Sequence, residues 1–478
     1  LMIVLYIIVY FVLNYTMVGR GVYAIGGDEV SAERAGFAVK KIRFGIFVVN
    51  GMLAAVAGLS YAVMSMRYLP TEYSGAEMDV IAAIILGGTR LNGGVGTLKG
   101  CILGTLLLTM VSNSLILLGI SVYWQKVFIG AIIIIGTAIS VMQSHNVKIG
   151  KAKTGKKEEA KKIDGNILRL LAIFVIIIAV SGITKGTSFL NVGNLQSMAK
   201  TLTEYGLMAV GCGITMISGG IDLSTVYIAN LCGIVAGLTM NESGSSIVVA
   251  IIVALIVGAA CGIFNGFLVS VLKIPAMLAT LGTYQLYMGI AIVASKGSTV
   301  SGVPTVYSSF AYMTVAGIPM PFIVFILMIV IISFIMGKTK FGKRVHLVGT
   351  NEKASKFAGI NNVSVLIRAY MLSGIVSAVA GLLSLSRINS AKADFGSSYT
   401  MQTILISVLG GINPDGGFGS IPGVAIAVLI LQMLSSYLNM FPSISNYYRD
   451  LIWGVALIAV LIMNFTIEKR RMAKLSQK

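Results

Sequence analysis

Residues 247–272 read IVVAIIVALIVGAACGIFNGFLVSVL, 26 residues without a charge. A helix of that length reaches about 39 Å, more than the roughly 30 Å hydrocarbon core of a bilayer. Every backbone polar group is satisfied inside such a helix and every side chain tolerates lipid, which are the two conditions for spanning a membrane. Comparable apolar runs recur at 167–183 and 319–336, and across all 478 residues 56% are hydrophobic and only 11% charged. Soluble globular proteins carry roughly 25% charged residues. The composition excludes a soluble enzyme and predicts an all-α polytopic membrane protein.

The formal net charge of +19 would suggest a nucleic-acid partner in a soluble chain. Here the basic residues collect in a few connections instead. Of 36, five lie in 20–43, eight in 148–169, seven in 338–368 and five in 469–478. Such clusters mark cytoplasmic loops, so no nucleic-acid partner is expected. Cys101, Cys212, Cys232 and Cys261 lie in apolar sequence without paired spacing, and His145 and His346 are isolated, so no disulfide framework, metal site or cofactor is expected. The opening Leu1-Met2-Ile3-Val4-Leu5 lacks a charged region before its apolar run, and it reads as the middle of a helix rather than a signal peptide.

An internal repeat organises the chain. At an offset of 323 residues, Gly26-Gly27-Asp28-Glu29 aligns with Gly349-Thr350-Asn351-Glu352, Ala35-Gly36 with Ala358-Gly359, and Leu86-Gly87-Gly88 with Leu409-Gly410-Gly411. Gly93-Gly94 and Gly100 fall on Gly416-Gly417 and Gly423; one residue later in register, Tyr123 and Gly130 fall on Tyr447 and Gly454. The region 167–321 has no upstream counterpart. The expected domains are therefore the C-terminal half of a unit at 1–146, a basic cytoplasmic linker at 147–166, and a complete unit at 167–478.

Within the complete unit, apolar segments fall near 167–183, 201–218, 223–240, 246–272, 275–295, 319–336, 364–386, 401–411, 421–439 and 447–467. Ten crossings return the chain to its starting side, as the basic clusters at 148–169, 338–368 and 469–478 require. The segment 401–411 is short enough to be re-entrant.

Two glycine-rich stretches imitate phosphate loops without meeting their requirements. Gly93-Gly94-Val95-Gly96 and Gly416-Gly417-Phe418-Gly419 lie between membrane segments, where missing side chains serve close helix packing. Gly337-Lys338-Thr339 has the ending of a phosphate-binding loop, but Ile332 stands where that loop requires glycine. No ATP hydrolysis by this chain is expected. In Ser218-Gly219-Gly220-Ile221-Asp222-Leu223-Ser224 an acid interrupts apolar sequence; Asp222 reads either as a cap of the following helix or as part of a translocation path. The paired loops 26–36 and 349–359 suit a short amphipathic helix, with Ala354, Phe357 and Ala358 on one side and Lys353 and Lys356 elsewhere. Such a helix either docks in a groove of a soluble partner or belongs to a basic loop that enforces topology.

At this loop the sequence resembles a known family. Lys338-Thr339-Lys340-Phe341-Gly342-Lys343, Val348-Gly349-Thr350-Asn351-Glu352-Lys353-Ala354 and Ala358-Gly359-Ile360 are similar to the cytoplasmic loop of ribose- and galactoside-type ABC importer permeases. Gly219-Gly220-Ile221-Asp222-Leu223-Ser224, Ala279-Thr280-Leu281-Gly282-Thr283 and Glu77-Met78-Asp79-Val80-Ile81-Ala82-Ala83 follow the same family pattern in order. The resemblance implies ten-helix permease units used in pairs in the cell (plasma or inner) membrane, a cytoplasmic ABC ATPase and an extracellular or periplasmic sugar-binding protein. It implies that Gly349, Asn351, Ala354, Ala358 and Gly359, with Gly26, Asp28, Ala35 and Gly36 in the partial unit, form the ATPase-coupling loop, whereas Ser31 departs from the small apolar residue at Ala354. Gln402 stands where Asp79 stands, which favours a fused pair of unlike units over a duplicate. Two other classes remain open on the residues: a secondary transporter with parallel repeats, which requires acids inside the membrane with Asp222 as the candidate, and a non-transporting incomplete fusion product.

Overall fold

The computed structural model describes residues 1–67, 69, 73, 76–90, 93–118, 120–144, 165–241, 246–441, 455 and 458. The linker over 147–164, His145, the segment 447–467 with Tyr447 and Gly454, and the tail 469–478 lie outside the described residues, apart from Val455 and Ile458. The chain divides into two compact units, residues 1–125 with 132–144, and residues 126–131 with 145–478.

The first seven helices are α1 (Met2–Tyr15), α2 (Met17–Gly27), α3 (Glu29–Arg34), α4 (Val39–Ser65), α5 (Ala76–Leu86), α6 (Leu98–Leu117) and α7 (Gln125–Ser144). They are followed by α8 (Gly165–Phe189), α9 (Val192–Ile217), α10 (Thr225–Asn241), α11 (Ile247–Ser270), α12 (Ala276–Ala294) and α13 (Thr305–Ser309). The last six are α14 (Met320–Lys338), α15 (Lys340–Thr350), α16 (Glu352–Phe357), α17 (Asn362–Ile388), α18 (Tyr399–Leu409) and α19 (Ile421–Asn439). The strands have two residues each: β1 (Val300–Ser301) pairs with β4 (Ser390–Ala391), and β2 (Thr314–Val315) with β3 (Ile318–Pro319). Eight described helices are long and apolar enough to cross a membrane, or nine if α1 and α2, bent by 71° at Thr16, count as one span.

The repeat is visible in backbone conformation. Thr16 and Thr339 cap α2 and α15 through their hydroxyls, and Asp28 and Asn351 cap α3 and α16 through their side-chain oxygens. Positive φ angles recur in register at Gly36 and Gly359 (86° and 77°), Gly88 and Gly411 (87° and 91°), Gly93 and Gly416 (83° and 90°), and Met66 and Asn389 (53° and 57°).

In the second unit α17 is the central helix, packed against α9, α10 and α11. Its contact with α11 is backbone on backbone: a Cβ on Gly258 would come within 2.6 Å of the Gly374 carbonyl oxygen, and one on Gly374 would overlap the Gly258 carbonyl. Without lipid-facing hydrophobic gain to drive helices together, such close approach supplies the dispersion contacts that hold them. Around α17, Tyr307 of α13 donates to Leu382 O (2.7 Å), and Ser386 donates to Tyr307 O (2.8 Å), which ties the long 296–318 connection onto the end of the helix. Asn230 of α10 donates to both Ala393 O (3.0 Å) and Phe395 O (2.8 Å), which draws the α17–α18 connection into the bundle. Nine of the ten segments expected in 167–478 are helices, including the short α18; the tenth lies outside the residues that can be described in full.

Candidate functional site

The loop between α14 and α17 is built by its caps. Asn351 Oδ1 accepts from the backbone N–H of Lys353 (3.0 Å) and Ala354 (2.9 Å), which starts α16. Gly359, at φ +77°, ends it, with the N–H groups of Gly359 and Ile360 returned to Lys356 O and Ser355 O. Ser355 is the buried residue of α16, beside Asn362, whose amide donates to Glu352 O (2.6 Å). Lys273, at the α11–α12 connection, bonds Glu352 (2.7 Å). The opposite face of α16 is bare: Ala354 and Ala358 are exposed, and Phe357 is 92% exposed. Gly359 is exposed too, with no atom within 4 Å of where its Cβ would stand.

Beneath α16, the end of α15 meets two other connections. A Cβ on Gly349 would overlap the Ile217 carbonyl oxygen and lie 2.6 Å from Gly417 N. Gly417 N–H donates to Ile217 O (2.9 Å), and His346 Nδ1 donates to Gly417 O (2.9 Å). The α15 helix, the α9–α10 connection and the α18–α19 turn are thereby clamped at one point.

The first unit repeats this plan with different surface chemistry. Asp28 Oδ1 accepts from Ser31 N (2.7 Å), Ala32 is buried where Ser355 is, and Gly36 ends the turn in an open space. Gly26 lies against Gly93 and Gly94, and Tyr23, at the place of His346, donates to Gly96 O (3.0 Å). Ser31, Arg34, Ala35 and Gly36 are exposed, so Arg34 is presented where the second unit presents Phe357.

Asp222 is buried at the α9–α10 connection. Its Oδ1 accepts from Ser224 N (2.9 Å) and Ser224 Oγ (2.6 Å), so it braces the residue that precedes α10 rather than the helix's own first turn. Asn265 donates to Ser224 Oγ (2.8 Å) and accepts from Tyr287 OH (3.0 Å), and Thr280 donates to Ile221 O (3.1 Å). The motifs around Asp222 and Thr280, separate in sequence, thus meet in one polar cluster that also draws in α11.

A second buried acid escaped the sequence reading. Glu204, in the middle of α9 and 1% exposed, accepts from Arg387 Nε at the end of α17. The one available signal was a single acid within the segment 201–218, next to Tyr205. Among the described residues no group of three or more His, Cys, Asp or Glu is placed to hold a metal ion.

The described residues thus form helices of membrane-spanning length joined by capped, exposed loops. Residues 1–137 and 194–461 match the family described as branched-chain amino acid transport system / permease component. The chain belongs to this family: it is a multi-pass membrane permease component of an ABC importer, a transport component and not a catalyst. It is 37% identical over 313 residues to the ribose import permease protein RbsC of Bacillus subtilis (strain 168), which covers 64% of this chain and 96% of the relative. It is 34% identical over 299 residues to the autoinducer 2 import system permease protein LsrD of Photorhabdus luminescens, covering 61% and 89%. The LsrD protein of Escherichia coli O9:H4 (strain HS) is 33% identical over 301 residues, covering 62% and 90%. No solved structure matches the chain.

Proposed function

We propose that the chain forms the translocation pathway for ribose or a related small, neutral, polyol-like solute such as autoinducer 2, powered by a separate cytoplasmic ABC ATPase and supplied by a sugar-binding protein on the opposite face. The single observation that carries the reading is the bare face of α16. Ala354, Phe357 and Ala358 point away from the chain while Ser355 fixes the helix from beneath, an inversion of the usual apolar-inward rule that suits a surface completed by another protein. ATP-driven closure of the partner would push on α16, and the clamp at Gly349, Ile217 and Gly417 would pass that displacement to the α9–α10 and α18–α19 connections. Asn351, Gly359 and their counterparts Asp28 and Gly36 shape the two docking helices; Gly26 and Gly349 place them on the bundle.

The matched caps and positive-φ positions of the two units support a complete ten-helix unit at 167–478, preceded by the linker 147–166 and by the C-terminal half of a second unit at 1–146. Phe357 and Arg34 at equivalent places favour two unlike docking faces, as a fused heterodimeric pair would have.

Reconstitution tests this reading. The chain, in vesicles with its ATPase and binding protein, should take up ribose only with ATP inside, and should co-purify with the ATPase. Uptake that needs no ATPase and stops when a proton or sodium gradient is dissipated would move the protein to the secondary transporters.

A further inference from the structure

We infer that the Glu204–Arg387 pair is a contact point for the solute in transit, one that recognises adjacent hydroxyl groups of a neutral polyol. The inference rests on the transport reading above and names residues within that pathway.

Glu204 is buried on α9 and meets Arg387 in the last turn of α17, where the bundle joins the 296–318 and 389–398 connections. An ion pair there is a poor way to hold helices together, because desolvation of both charges offsets their attraction, and apolar residues of the same volume do as well or better. Ionisable groups buried among membrane helices mark solute pathways. Two features show which solute. Glu204 uses one carboxylate oxygen for Arg387, while Oε2 is buried with no hydrogen-bond partner among the described residues, so the site holds an acceptor that lacks a donor. Arg387 keeps 26% of its side chain exposed, so the pair is reached from water on the side of the 296–318 and 389–398 connections.

Aromatic faces stand beside these charges. Tyr205, next to Glu204, has its ring 5.8 Å from that of Tyr399, and Tyr399 lies 5.9 Å from Phe395. The Tyr205 hydroxyl is anchored to Gln432 (2.7 Å), which fixes the ring. A sugar presents hydroxyl donors along its edge and C–H groups on its face, and it carries no net charge. Its hydroxyls would satisfy Oε2 and accept from the guanidinium while its face lies on the rings. An anion would be repelled by Glu204 and a cation would compete with Arg387, so a neutral polyol is the class that uses every group present. In this conformation the neighbouring cavity, bordered by Asn230, Ser384, Lys392 and Phe395, has about 10 Å³, room for one water. The solute therefore enters only when the α17–α18 connection withdraws.

The test uses the full chain with its ATPase and binding protein in vesicles, comparing ATP-driven uptake of ribose with that of its monodeoxy analogues, the binding protein being saturated with each. Wild type should carry ribose at least tenfold faster than the analogue that lacks the recognised hydroxyl. E204Q should slow ribose uptake about tenfold and bring the ratio near one, because the lost hydroxyl and the lost charge act on the same contact. Should E204Q fail to fold, E204L/R387M, which removes both charges together, takes its place and should show the same collapse. Ribose uptake with unchanged discrimination in either folded variant overturns the site. Absence of ATP-driven sugar uptake by wild type overturns the transport reading itself.

Discussion

Two glycines in one loop have opposite constraints, and a single methyl group separates them. Gly349 has no room: a Cβ there meets the Ile217 carbonyl and Gly417 N, both backbone atoms that cannot rotate away. Gly359 has room but an unfavourable backbone, with φ at +77° and nothing within 4 Å of a Cβ. Gly349→Ala should therefore destabilise by about 1–3 kcal/mol, the usual cost of overpacking, and should uncouple ATP hydrolysis from transport. Gly359→Ala should cost only about 1 kcal/mol for its left-handed backbone and retain most coupling. Gly359→Asp adds a charge on the proposed docking surface and should lose coupling at near-normal abundance. Melting temperature and binding-protein-stimulated ATP hydrolysis measured on all three variants check the ordering; equal losses in both glycine-to-alanine variants would contradict it. The glycines themselves stood out in the sequence because they repeat at the offset of 323 residues. What each one touches did not, because Ile217 and Gly417 approach Gly349 from other parts of the chain.

At the scale of the element, α16 shows why the capped loop was legible and the direction of its apolar face was not. The caps Asn351 and Gly359 announce a short helix by residue type alone. The spacing placed Ala354, Phe357 and Ala358 on one side, and they do share exposure, but only the structure shows that this side faces outward while Ser355 turns in. Periodicity gives a face and cannot say which way it points. Phe357→Ala follows from this. Because the ring is 92% exposed, its removal should leave stability within about 0.5 kcal/mol of wild type. An aromatic anchor at the centre of a protein interface is worth about 2 kcal/mol or more, so affinity for the ATPase should fall at least thirtyfold. Binding measured on the detergent-solubilised complex distinguishes the two effects; unaltered affinity would remove Phe357 from the interface. The pair Glu204 and Arg387 was illegible for a different reason, since the partners lie 183 residues apart and no period connects them.

For the whole molecule, the sidedness read from charge has an independent geometric check. Lys273 at the α11–α12 connection bonds Glu352 beside α16, so these two connections share one face. β1, in the α12–α14 connection, pairs with β4, in the α17–α18 connection, so those two share a face as well. The spans α12, α14 and α17 each join one set to the other, as successive crossings must. The basic cluster 338–368 belongs to the first set, so the positive-inside rule predicts that this face is cytoplasmic. Hydropathy alone was less secure here, because α10 has 17 residues and α18 only 11, too short to be counted as spans by length. Salt bridge and strand pairing do not depend on that count. Val306, 73% exposed in the α12–α14 connection, and Phe357 are therefore predicted to lie on opposite sides of the membrane. In a Cys101→Ser background, where Cys212, Cys232 and Cys261 are buried, a membrane-impermeant maleimide should label V306C in intact spheroplasts and F357C only in inverted vesicles. Labelling of F357C from outside would reverse the orientation and separate α16 from any cytoplasmic ATPase.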